Sequence, residues 1–283
     1  MRADLHTHTT FSDGALTPAQ LVALAQEMGL AAVGVTDHDS VDGVPEAMEA
    51  GQRLGVWVVP GVEISTEASE QEVHLLGYFL DPYHAPLRAA LRQLREGRLR
   101  RGEEMVTRLR ALGIDVDMKR LLELAGEQGS VGRPHLAQAL VELGAAESID
   151  EAFRLYLRRG RPAYVRRQKL APEQAISLVR DAGGVPVLAH PAPAQRDECI
   201  PGWVRTGLCG IETRHPDHDE EDVIRYCDLA RRFGLIATAG SDFHRHEGRR
   251  RRLGACTSPL SVVKRLEKAA AAIREGRGSL TGS

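Results

Sequence analysis

No stretch of this chain approaches the roughly 20 apolar residues that a membrane-spanning helix requires, so a membrane-embedded protein is not expected. No basic and apolar leader precedes the first motif in MRADLHTHT, and a cytoplasmic location is the default expectation. Cysteine is scarce and not spaced for metal. Cys199, Cys209, Cys227 and Cys256 form no CxxC pair, which leaves them as small core residues. Neither sign of charge is in large excess: the formal net charge is −2, so any anion-binding surface must be local. Internal repeats and low-complexity segments are missing too, and the tail GRGSLTGS reads as frayed. What remains is an ordinary globular composition of 283 residues, 42% apolar and 27% charged. That length buries a full core and suits one large domain, or one domain carrying an insertion.

What the chain does have is histidine in short clusters with acidic residues. His6 and His8 stand in DLHTHTTFSDG, Asp37 and His38 in TDHDS, Glu63 in PGVEIS, and His74 in EVHLLGY. His190 stands in LAHP, and Asp242 and His244 in GSDFH. Imidazole and carboxylate together hold hard-to-borderline divalent ions, and there are more here than one ion needs. A multinuclear site acidifies bound water and clamps phosphoryl oxygens, so phosphoester hydrolysis is the leading reaction class.

Apolar runs of strand length carry nearly all of these residues at or just after their C-terminal ends: AAVGVTDH, VWVVPGVEIS, GVPVLAHP, CGIETRHP and LIATAGSDFH. Helical patterns lie between them, as in TPAQLVALAQEMGL, with Thr17 as N-cap and Pro18 in the first turn. VPEAMEAGQRLG, APEQAISLVRDAGG and EEDVIRYCDLARRFG repeat the pattern. Strands alternating with helices imply βαβ units and a parallel sheet. Periodicity alone does not separate a closed barrel from an open sheet, but residues from at least five strands meeting at one point favour closure. The alternation breaks between about residues 86 and 161, where consecutive helices predict an inserted helical subdomain serving as a lid or substrate wall. The expected layout is therefore barrel over 1–85, insertion over 86–161 and barrel again over 162–283.

On an extended segment His6 and His8 point to the same side and can chelate one ion, with Asp13 near enough to serve a neighbour. A lone HxH is weak evidence, since any single histidine is readily a satisfied core or surface side chain, but that reading must hold at six places at once. Glu63 and His74 flank a predicted hairpin, and Glu63 has two oxygens with which to bridge two ions. Asp37 is either a ligand or a partner orienting His38. Asp39 reads as an N-cap of the following turn. The Arg-rich loop from Arg245 to Arg252 is either a solvated face or a steering surface for a polyanion.

Taken in order, HTHTTFSDG, GVTDHDSVDG, PGVEIS, HLLGY, AHP and GSDFH resemble the motifs of the PHP (polymerase and histidinol phosphatase) superfamily of metal-dependent phosphoesterases. The likeness covers about residues 3–80 and 160–255. It implies a distorted (β/α)7 barrel, an α/β fold, holding three divalent ions. By resemblance, His6, His8, Glu63 and Asp242 hold one ion. Glu63, His74 and His190 hold the second, and Asp13, His38 and His244 the third. Every expected ligand is present, which implies a live enzyme.

The segments SVGRPHLAQAL and FRLYLRRGRPAYV resemble the branch that includes 3′,5′-nucleoside bisphosphate phosphatases and a related 5′-to-3′ exonuclease acting on short RNA. In that branch GRPH faces the metals. The resemblance therefore implies that Arg133 forks onto a substrate phosphate, that His135 donates to the same anion or a leaving oxygen, and that His218 borders the pocket. The expected reaction is in-line attack of a metal-bridging hydroxide on phosphorus, with His190, His244 or His135 assisting the leaving oxygen. Mn²⁺ suits the mixed donor set best, with Zn²⁺ or Fe²⁺ as alternatives. The expected partner is a nucleotide or short oligonucleotide substrate, with no membrane and no obligate protein partner. Histidinol phosphate hydrolysis is the rival activity, and a non-catalytic metal- or nucleic-acid-binding module is the rival of another class.

Overall fold

The computed structural model describes residues 1–125, 131–166, 169–245 and 252–276. The polyanion-steering role considered for the Arg-rich loop falls mostly on residues outside that set, as does the frayed tail. The chain divides into two compact units, one of Met1–Leu91 with Lys169–Ser283 and one of Arg92–Gln168.

The first unit is built on β1 (Arg2–Asp4), β2 (Ala32–Val35), β3 (Trp57–Ala68), β4 (Gln71–Tyr78), β5 (Val185–Leu188), β6 (Gly210–Arg214), β7 (Ile236–Ala239) and β8 (Ser258–Pro259). They form one sheet in the order β7-β6-β5-β4-β3-β2-β1-β8. Pairings β1–β2, β2–β3, β5–β6 and β6–β7 are parallel. β4 runs antiparallel to both β3 and β5, and β8 antiparallel to β1. The β3–β4 hairpin turns on Ser69 and Glu70, both at positive φ (46° and 69°), as a two-residue turn matched to strand twist requires. The sheet nearly closes, because the chain beyond β7 returns to the chain beyond β1. The Leu5 N–H donates to the Ala239 carbonyl (3.4 Å) and the His8 N–H to that of Phe243 (2.8 Å). The mixed α/β, barrel-like architecture agrees with the expected class, and antiparallel β4 and β8 are its distortion.

Helices α1 (Pro18–Glu27) and α2 (Val44–Leu54) follow β1 and β2. Thr17 caps α1 as expected: its hydroxyl accepts from the Gln20 N–H, and the Gln20 side chain accepts from the Thr17 N–H. Leu21, Val22, Val33, Val35 and Val58 make one buried cluster. Farther on, Val59, Leu76, Tyr78, Val185 and Val187 pack with Val263 and Leu266 of the last helix. This apolar floor fixes the strands, so residues just past their C-terminal ends are held in place.

The second unit is helical. α3 (Ala85–Ala111) runs into it from the first unit, followed by α4 (Met118–Ala125), α5 (Arg133–Glu142) and α6 (Ile149–Ala152), the last passing into a π-helical turn at Phe153–Leu157. Its core comprises Met105, Leu109, Leu121, Leu136, Leu140 and Leu157. The chain then returns through α7 (Pro172–Asp181), α8 (Ile200–Thr206), α9 (Glu220–Phe233) and α10 (Leu260–Arg274). No helix among the described residues is long and apolar enough to cross a membrane.

Candidate metal centre

The sheet delivers its titratable side chains to one place. His6 and His8 follow β1, His38 follows β2, Glu63 and His74 sit on β3 and β4, His190 follows β5, and Asp242 and His244 follow β7. Glu63 is fully buried at the middle. Its Oε2 lies 3.3 Å from His6 Nε2, 3.3 Å from His8 Nε2 and 2.8 Å from His38 Nδ1. Its Oε1 lies 2.8 Å from His74 Nδ1 and 2.9 Å from His190 Nε2. Asp242 Oδ1 stands 3.5 Å from His6 Nε2 and 3.1 Å from His8 Nε2. Asp13 Oδ1 is 3.1 Å from His244 Nε2, and its Oδ2 is 3.9 Å from His38 Nε2.

Three of the groupings able to hold an ion are His6, His8, Glu63 and Asp242; His38, Glu63 and His74; and His8, Asp13, His38 and His244. His190 approaches the same Glu63 oxygen as His74. The structure thus brings together all nine residues expected to be ligands. In the first grouping, separations of 3.1 to 3.5 Å bracket the roughly 3.4 Å between two ligands that share an ion about 2.1 Å away at a tetrahedral angle. His6 Nε2, His8 Nε2, His38 Nδ1, Glu63 Oε2 and Asp13 Oδ1 are buried and make no hydrogen bond of acceptable geometry, although opposite partners are close. Leaving such a group unsatisfied costs about 1–3 kcal/mol. Lone pairs converging on common points fit divalent cations, and the donor set passes that test.

Electrostatics follow from this crowding. Burial opposes ionisation of Glu63, Asp13 and Asp242, yet the surrounding imidazoles hold all three well below the usual carboxylate range. Burial also opposes charging of His74, but Glu63 and Glu72 outweigh it and push His74 up to about 10. Asp13 and Asp242 likewise overcome burial at His244, raising it to about 9. His8 goes the other way: burial, with His244 and His38 beside it, lowers it to about 3. A cleft of about 320 Å³ opens onto the cluster, lined in part by His38, Glu63, Glu72, His74, His190 and Asp242. A larger recess of about 520 Å³ on α9 holds no imidazole and is bordered by the Arg225–Asp197 pair (2.6 Å), so it offers none of this chemistry.

Asp37 neither joins the cluster nor orients His38. Its carboxylate accepts from the Thr9 N–H (2.7 Å), the Thr9 hydroxyl (2.7 Å) and the Ser12 hydroxyl (2.6 Å), bracing the turn between His8 and Asp13. Asp39 Oδ1 accepts from the Ser65 N–H (3.0 Å), tying its loop to β3, and Gly43 stands at the N-cap of α2. His218 is buried, with Nδ1 3.2 Å from the Thr213 carbonyl and Nε2 unpartnered. Arg133 and His135 belong to the second unit. The Arg133 guanidinium lies 5.8 Å from the centroid of the Phe153 ring, and His135 Nδ1 accepts from the Gly132 N–H (3.2 Å) at the start of α5.

Glu212, Glu72 and Lys169 were not among the residues expected at the site, and His215 was expected only as a residue after a strand end, either bordering the pocket or solvated in its loop. Glu212 is fully buried, with Oε1 3.3 Å from His6 Nδ1. His215 is buried too, its Nε2 3.5 Å from Asp242 Oδ2. Glu72 Oε1 lies 3.1 Å from His74 Nε2 and 2.8 Å from Lys169 Nζ. The available signal at Glu212 was a carboxylate inside an otherwise strand-like run, CGIETR; the pairing of Glu72 with distant Lys169 has no sequence signal.

Comparison with known proteins agrees with this geometry. The PHP domain model matches residues 4–156. The 3′,5′-nucleoside bisphosphate phosphatase of Chromobacterium violaceum is 36% identical over 85% of this chain and 86% of its own. The 5′-3′ exoribonuclease Rnm of Salmonella typhimurium is 38% identical over 85% of this chain and 84% of its own. A crystal structure from Bifidobacterium adolescentis, assigned to the metal-dependent phosphoesterases, superposes with a TM-score of 0.84 at 33% identity, covering 93% of this chain and 94% of that one. The match spans more than half of the chain, and the relatives align over most of their length: this chain belongs to the PHP domain family.

Proposed function

We propose that the chain is a metal-dependent phosphoesterase that hydrolyses nucleotide phosphate esters, of the 3′,5′-nucleoside bisphosphate phosphatase type. The observation that carries this reading is the convergence of buried, unpartnered imidazole and carboxylate atoms around Glu63. In this reading His6, His8, Glu63 and Asp242 hold one ion, Glu63, His74 and His190 a second, and Asp13, His38 and His244 a third, with Mn²⁺ favoured. Bound there, such ions acidify water and neutralise phosphoryl oxygens.

The chain's own residues do the rest. Glu63, Asp13 and Asp242 stay ionised at neutral pH and supply the negative charge that cations require. In this reading His190, His244 or His135 would pass a proton to the leaving oxygen. Neutral His135 carries its proton on Nε2, because Nδ1 accepts from Gly132, so Nε2 is its donor. Arg133, in the first turn of α5, would offer the substrate's second phosphate a charge-assisted, two-pronged guanidinium contact. The unpartnered Nε2 of His218 suits it to accept a substrate hydroxyl.

The exoribonuclease relative supports a second activity on short 5′-phosphorylated RNA at the same site. Phosphate or nucleotide release, measured side by side on adenosine 3′,5′-bisphosphate, AMP, histidinol phosphate and a 5′-phosphorylated oligoribonucleotide, tests both. Adenosine 3′,5′-bisphosphate or the oligoribonucleotide should be preferred; a preference for histidinol phosphate would overturn the assignment.

A further inference from the structure

Glu212 stands behind the proposed ligands. It occupies the middle of β6, is wholly buried, and faces His6 on the side opposite Glu63. Its two oxygens lie 3.3 and 3.4 Å from His6 Nδ1, while His6 Nε2 points to Glu63 and Asp242. One of those oxygens also accepts from the backbone N–H of His190 at 2.8 Å. That residue has φ +22°, which side-chain-bearing residues rarely adopt and which persists only where the surroundings impose it.

We propose that Glu212 is a positioning residue for two ligands at once: it fixes His6 in the tautomer that leaves Nε2 as the lone-pair donor, and it clamps the backbone that aims His190. The inference rests on the reading of His6 and His190 as metal ligands.

An ionised carboxylate has no hydrogen to give, so His6 Nδ1 must be the donor in that pair. Neutral imidazole carries a single ring proton, and placing it on Nδ1 frees Nε2. That Nε2 is the buried atom with no hydrogen-bond partner of its own. At His190 the same carboxylate acts through the main chain, and the ring then reaches Glu63 Oε1 at 2.9 Å. Burying a carboxylate is costly unless it is paired, and Glu212 hydrogen-bonds to both of these histidines.

The test compares Mn²⁺ affinity, read from the free-ion EPR signal, in the unmodified protein, Glu212→Met and Glu212→Gln. Methionine fills the space without an acceptor and should weaken binding roughly 10- to 100-fold. Glutamine keeps an acceptor oxygen and should fall between the other two. Unchanged affinity in Glu212→Met overturns the proposal, and so does a Glu212→Gln variant as weak as the methionine one. A second measurement needs no variant: in the zinc-loaded protein, ¹⁵N-histidine spectra should show His6 bound through Nε2 with its proton on Nδ1. Zinc bound through Nδ1 overturns the proposal. An unmodified protein that takes up neither metal would instead defeat the ligand reading beneath it.

Discussion

At Glu63 five imidazoles meet one carboxylate, with nitrogen to oxygen separations from 2.8 to 3.3 Å. Such density of opposite charge in a buried place is stable only if protons or cations occupy it. Asp242 matters for the same reason, since it contributes the second carboxylate to the His6 and His8 group. Asp242→Ala should therefore leave a bound cation undercompensated and its water less acidic. The account expects a loss of several kcal/mol of transition-state stabilisation, roughly three orders of magnitude in turnover. Steady-state assays at saturating Mn²⁺ check this, and near-normal activity would remove Asp242 from the ligand set. Titration offers a further residue-scale check. In the metal-free protein His74 and His244 are raised to about 10 and about 9, so they bind protons more tightly folded than unfolded. The stability they contribute is fully present below about pH 6.5, the ordinary histidine value, and is lost as pH rises through about 9 to 10. The melting temperature of chelator-treated protein should fall across that window, and metal-loaded protein should fall less because the ion replaces those protons. A metal-free melting temperature that rises over the same range would contradict the account.

At the scale of elements, the close approach of the chain beyond β7 to the chain beyond β1 is what carries Asp242 and His244 to His6 and His8. Gly240 makes it possible, because a Cβ there would overlap the His6 side chain and backbone. Gly240→Ala should cost about 1–3 kcal/mol by overpacking and lower metal content as well, read by thermal melts and elemental analysis. A variant with normal stability and normal metal content would show that the contact yields freely. α5 carries its own prediction. If Arg133 holds the phosphate that is not cleaved, Arg133→Ala should weaken turnover of adenosine 3′,5′-bisphosphate about 10- to 150-fold. Turnover of p-nitrophenyl phosphate, which has no second phosphate, and metal content should change little. Equal losses on both substrates would make Arg133 a scaffold residue. Much of this level was legible in the sequence: Thr17 and Pro18 announce the start of α1, and the apolar runs before His38, His190 and Asp242 mark β2, β5 and β7. The roles of Asp37 and Asp39 were not legible, because an acidic residue beside a ligand motif reads the same whether it meets an ion, a ring or a backbone N–H. Glu212 stayed hidden because its partner His6 lies 206 residues away in sequence, and only closure of the sheet joins them.

For the whole molecule, the near-closed sheet gathers carboxylates and imidazoles from six strands and the loops that follow them. Each motif taken singly is commonplace; their convergence is a property of the fold, and it was inferable only from the order and spacing of all of them together. The claim that this convergence is a metal-dependent phosphoesterase centre is tested most directly by one measurement. Protein stripped with chelator and then refilled with Mn²⁺ is assayed for inorganic phosphate released from adenosine 3′,5′-bisphosphate. The account predicts no release from the stripped protein and restored release on refilling, in proportion to the metal taken up. Full activity in the stripped protein, or full metal uptake with no hydrolysis of this substrate or of a 5′-phosphorylated oligoribonucleotide, would contradict it.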